Sequence, residues 1–170
     1  MYLFKQILCI VLAYSYLCSM KPKILFLHGF YASGQCVPAM ALRNAFEGNA
    51  EVLTPDLPIH PKEAVGYIRA HQYKSPRKNG KQDFIIDSQL IAEFAEMEAH
   101  QFDNCNPDYK ERIWGIFGEQ DTLAHFEPLF LQYYSHSFHF PGGHTPTAEE
   151  VQQYYVPLIK KMLTTNLCNQ

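Results

Sequence analysis

Ile24-Leu25-Phe26-Leu27-His28-Gly29 is the stretch that decides the fold. A strand with one wet face alternates polar and apolar residues. An unbroken apolar run closed by His-Gly instead fits a strand covered on both faces, as in a parallel sheet flanked by helices. Downstream, residues 35–46 predict a helix whose apolar side is Val37, Ala41, Leu42, Ala45 and Phe46. Residues 51–54 predict a second strand, stopped by Pro55-Asp56-Leu57-Pro58. A helix then starts near Pro61, where proline suits a first turn, and runs to about Ala70.

The rhythm breaks next. Residues 72–83 contain no apolar run and carry two turn signals, Pro76 and Asn79-Gly80. A helix crossing a parallel sheet should return into a strand, and here it returns into a loop. A strand is missing. After it, Asp87 can cap a helix to about Phe102 with Leu90, Ile91, Phe94 and Met97 on one face. Residues 112–117 predict a third strand, ended by Gly118-Glu119-Gln120-Asp121, and residues 126–133 a helix. Residues 137–140 predict a fourth strand, ended by Pro141-Gly142-Gly143-His144. Thr147 and Glu150 have capping-box spacing, and Val151, Tyr154, Tyr155, Leu158, Ile159, Met162 and Leu163 recur at helical intervals behind them. Pro157 should kink that helix. The expected architecture is α/β: a three-layer sandwich around a mostly parallel sheet of about four or five strands.

With 170 residues, 47% hydrophobic and 18% charged, the chain suits one globular domain, placed at residues 20–165 with a tail at 166–170. A net charge of −3 and a short basic stretch (Lys74, Arg77, Lys78, Lys81) without interleaved aromatics argue against a nucleic-acid partner. Cys9, Cys18, Cys36, Cys105 and Cys168 are odd in number and never in Cys-x-x-Cys spacing, which fits a reduced compartment rather than a disulfide framework. His125, His136, His139 and His144 cluster in sequence, but His136 and His139 should point to opposite faces of a strand, so no metal is expected. No nucleotide-binding glycine motif occurs, and no cofactor is expected. Residues 1–19, with Lys5 before a short apolar run, read as a signal-like segment or as lying upstream of a true start at Met20. The second reading implies a cytoplasmic protein, the first an exported one. The apolar run is too short to span a bilayer well.

Three strand ends carry chemistry: His28-Gly29, Asp121 and His144. In open α/β sheets the ligand crevice lies beyond the carboxyl ends of the strands, so the three would share one rim. Acyl transfer needs an imidazole to move a proton, a carboxylate to fix its tautomer and backbone donors for the oxyanion. Asp121 alone reads as a helix cap and His144 alone as a turn residue. Together, in the order Asp then His after successive strands, they match the arrangement downstream of a hydrolase serine. Gly29 and Gly143, beside the two histidines, permit close backbone approach.

Residues 23 to about 163 resemble the small bacterial esterases of the YqiA/YcfP type, a compact branch of the α/β-hydrolases. The segments carrying the resemblance are residues 24–30, Pro55-Asp56-Leu57-Pro58, residues 91–98, Phe117-Gly118-Glu119-Gln120-Asp121-Thr122 and Gly142-Gly143-His144. The resemblance implies a serine hydrolase acting on a small-molecule ester. It gives Asp121 the acid's role, His144 the general base's, and the Phe30 backbone N–H an oxyanion contact. One part of the pattern is absent. No Gly-x-Ser-x-Gly occurs at any of the nine glycines. Ser33 sits on the oxyanion loop rather than at an elbow, and Ser75 and Ser88 lack a preceding strand, so no nucleophile is assigned. Loss of a triad serine leaves only the roughly 10³–10⁴-fold acceleration due to binding and the oxyanion hole. The expected protein is an impaired relative of carboxylester hydrolases, or else a non-catalytic pseudoenzyme or binding remnant of an internally deleted gene. The absent strand would lie centrally in the family's sheet, so its neighbours must pair with each other or leave ladder groups unpaired.

Overall fold

Two sheets organise the described residues. A computed structural model describes residues 9–13, 21–29, 32–70, 86–100, 107, 110–111 and 113–167. Strands β1 (Cys9–Ala13), β2 (Lys23–Leu27) and β3 (Glu51–Leu53) form a sheet in that order. β1 runs antiparallel to β2, with Cys9 opposite Leu27 and Ala13 opposite Lys23, and β2 runs parallel to β3. Strands β4 (Trp114–Gly118) and β5 (His136–Phe140) form a separate parallel pair, Trp114 opposite His136. The protein is mixed α/β. The expected single, mostly parallel sheet is corrected to a three-stranded mixed sheet and a two-stranded parallel one. The physical reason lies at the edge of β2, which β1 takes antiparallel, so that among the described residues β4 and β5 pair only with each other. The loop expected at 72–83, with its basic stretch and Ser75, lies outside the described residues.

The helices follow the apolar pattern with shifted ends. Helix α1 (Val37–Ala45) buries Ala41 and Leu42, but Val37 is exposed, because Pro38 and Ala39 take the inward positions of its first turn. Helix α2 (Pro61–Arg69) has no side-chain cap of its own. Glu93 of helix α3 (Ser88–His100) supplies one, its Oε2 accepting the Lys62 N–H at 3.3 Å. A carboxylate there also meets the positive end of the helix dipole. A hydrogen bond from the Gln89 amide, chiefly, holds the Glu93 carboxyl below the usual carboxylate range. Asp87 caps α3 through the Leu90 N–H at 2.8 Å. Leu90 and Glu93 are buried there, whereas Ile91, expected on the apolar face, is 53% exposed.

The single helix expected at 126–133 is instead a 3₁₀ turn, Thr122–Phe126, followed by the short helix α4 (Glu127–Phe130). Helix α5 (Ala148–Glu150) opens with the full capping box: Thr147 Oγ1 accepts from the Glu150 N–H, and Glu150 accepts from the Thr147 N–H. A π-helical turn, Val151–Tyr155, leads into helix α6 (Val156–Leu167). Pro157 explains the irregularity, since it has no N–H for the preceding turn.

One core joins the two sheets. Ile24 and Phe26 of β2 meet Leu42 of α1, Phe140 of β5, Val151 and Ile159. The stripe at 151–163 therefore packs as its spacing predicts. The other face of the β4–β5 pair is covered by α4, where Phe117 meets Phe130 edge-on at 5.8 Å. His136 stacks on Trp114 at 4.4 Å and His139 pairs with Glu127 at 2.8 Å, so the two histidines serve opposite faces.

Candidate active site

Each residue of interest stands just past the end of a strand, and local backbone bonds explain its placement. After β4 the chain turns back tightly, the Asp121 N–H donating to the Gly118 carbonyl at 2.9 Å. Asp121 then caps the 3₁₀ turn, its Oδ1 accepting from the Leu123 N–H at 2.9 Å. Beyond their last paired residues, β4 and β5 stay zipped. The Glu119 N–H donates to the Phe140 carbonyl and the Gln120 N–H to the Gly142 carbonyl, both at 2.9 Å. The Gln120 side-chain amide adds a bond to the Pro141 carbonyl at 3.2 Å. This zipper fixes the loop that carries His144 against the turn that carries Asp121.

The result is a direct pair: His144 Nδ1 lies 2.9 Å from Asp121 Oδ2. An ionised carboxylate only accepts, so Nδ1 carries the proton and Nε2 is the basic nitrogen. The Asp121 side chain is 16% exposed and that of His144 is 35% exposed, so the acid is the more sheltered partner and the base stays open to small molecules. Such a pair can hold one tautomer and stabilise the imidazolium that forms when Nε2 takes a proton.

The close approach expected at Gly143 occurs at Gly118 instead. A Cβ at Gly143 would meet nothing within 4 Å. At Gly118, however, a Cβ would lie 2.5 Å from the Gly142 carbonyl oxygen and 2.7 Å from that of Gly143. Only a residue without a side chain lets the His144 loop come this close to the end of β4.

His28 is buried and serves the backbone. Its Nε2 accepts the Leu57 N–H at 2.9 Å, so its Nδ1 is protonated and donates to the Gly29 carbonyl at 3.0 Å. Asp56, not singled out from the sequence, ties the same two loops together by accepting the Gly34 N–H at 2.9 Å. Its setting between Pro55 and Pro58 was the available clue. Phe30, the expected oxyanion donor, lies outside the described residues. Ser33 is fully buried, and its Oγ accepts the Gln35 N–H at 3.1 Å, closing a local turn. Ser88 lies exposed at the start of α3. Neither hydroxyl is presented as a nucleophile.

Tyr155 was expected only as part of an apolar stripe, yet it belongs to this neighbourhood. Its ring packs edge-on against Phe140 at 5.4 Å. Burial, chiefly, and then the charges of Glu150 and Asp121 push its phenol well above the ordinary tyrosine range. Among the described residues, no group of three or more potential ligands could hold a metal ion, and no helix is long and apolar enough to cross a membrane. No family model, curated protein or solved structure matches the chain.

Proposed function

We propose that this chain is a truncated, three-layer α/β-hydrolase-like protein, related to small carboxylester hydrolases of the YqiA/YcfP type. It keeps their acid and base and has lost their nucleophile. The observation that carries the reading is the 2.9 Å bond between Asp121 and His144, placed after two adjacent parallel strands. In this reading Asp121 fixes the imidazole and His144 Nε2 takes a proton from water or from an incoming hydroxyl. The backbone N–H of Phe30 would polarise the carbonyl of a small ester. With no serine at an elbow, no acyl-enzyme forms, and the bulk of an esterase's rate enhancement is lost.

A second reading, a non-catalytic binding remnant of an internally deleted gene, draws support from the division of the sheet. A lost central strand would take with it both the nucleophile and the second oxyanion N–H. Hydrolysis of a short-chain p-nitrophenyl ester tests whether any esterase activity is left. We expect no cleavage above the buffer rate. Turnover that disappears in H144Q would instead show a working site.

A further inference from the structure

We propose that Glu150 is a positioning residue for His144, holding the loop that bears the imidazole in register with Asp121. The proposal rests on the reading of Asp121 and His144 as a functional pair. As the second half of the capping box, the Glu150 carboxylate accepts the Thr147 N–H through Oε2 at 2.7 Å. Its other oxygen, Oε1, is not needed for the box and faces Gly142, where a Cβ would lie only 2.5 Å away. The ring of Phe140 closes the same space, its Cδ2 standing 2.7 Å from that Cβ position. Gly142 is therefore held in two ways. Its carbonyl accepts the Gln120 N–H, and the space a side chain would need there is taken by Phe140 and Glu150. His144 follows two residues later, between the Gly142 contact and the Thr147 cap, so one carboxylate spans the segment that carries the base. The upward push that Glu150 and Asp121 exert together on the Tyr155 phenol agrees with their sharing one neighbourhood.

The test uses the full-length protein and reads the His144 Nδ1–H signal by ¹⁵N-edited NMR, assigned by its loss in H144Q. Glu150→Ala should shift that signal and speed its exchange with solvent. Glu150→Gln should preserve it, because glutamine completes a capping box too. Thr147→Ala removes the cap and should lower stability while leaving the signal in place. If E150A proves unfolded, Glu150→Asp, one methylene too short to reach both Thr147 and Gly142, should displace the signal instead. The proposal is overturned if E150A or its substitute leaves the signal unmoved, or if T147A moves it equally. A wild-type signal insensitive to D121N would sink the functional pair itself, and this proposal with it.

Discussion

Asp121 divides its carboxylate between two partners: Oδ1 accepts the Leu123 N–H and Oδ2 accepts His144 Nδ1–H, both at 2.9 Å. The two readings the sequence allowed for this residue, helix cap and catalytic acid, use different oxygens of one group. Neither displaces the other. The arrangement also limits motion, because the cap fixes the rotamer that presents Oδ2 to the imidazole.

The first prediction separates those roles. Asparagine caps helices about as well as aspartate, whereas losing a cap to alanine costs about 0.5–2 kcal/mol. D121N should therefore unfold within about 0.5 kcal/mol of the wild type by urea titration, and D121A should lose about 1–2 kcal/mol. In both, the His144 Nδ1–H signal should move by NMR, since its carboxylate partner has gone.

Close approach at Gly118 supplies the second. A Cβ there meets two backbone carbonyls, which cannot swing aside as a flexible side chain can. G118A should destabilise by about 1–3 kcal/mol, the range for overpacked sites. At Gly66, within α2 and with nothing within 4 Å of a Cβ, alanine should stabilise by roughly 0.5–1 kcal/mol. Denaturant midpoints of the two variants should move in opposite directions.

Glu127 provides the third, through pH. A hydrogen bond from the Ser137 hydroxyl, with His139 assisting, holds its carboxyl below the usual carboxylate range, against an opposing effect of burial. A lowered folded-state value means a stabilisation present above the unfolded-state range and lost as pH falls through the folded one. E127Q should thus be less stable than the wild type near neutrality, by below about 1 kcal/mol after solvent screening. The gap should close in acid. A gap that widened on acidification would reverse the assignment.

The fourth concerns β1. Residues that read as a leader, or as lying upstream of the start, pair along the whole of β2. Deleting residues 1–19 should expose the edge of that strand and cost about 2–4 kcal/mol, at about 1 kcal/mol for each ladder bond. Unchanged thermal stability of the shortened chain would show that β1 contributes nothing to the sheet.

What could be read in advance, and what could not, follows from the range of the interactions. The cores of β2 and β4 stood out because doubly covered strands are continuous apolar runs. The Asp87 cap and the Thr147–Glu150 box were legible because capping is local chemistry at fixed spacing. Asp121 and His144 could be paired on paper because strand ends in a parallel layout converge on one rim. The sheet's division was not legible in detail, since strand partners are set by contacts far apart in sequence, and β1 had been assigned to a leader. Val37 and Ile91 misled because helical periodicity cannot tell a core-facing apolar residue from one at the edge of the covered stripe. The roles of Gly118 and Gly142 needed coordinates, because which backbone passes over a glycine is not written beside it.

The central claim is an esterase's acid and base without its nucleophile, and intact-mass spectrometry after incubation with a serine-reactive fluorophosphonate tests it most directly. The account predicts that the protein's mass stays unchanged while an active serine esterase alongside it labels fully. Stoichiometric addition of one probe to any serine of this chain would contradict it.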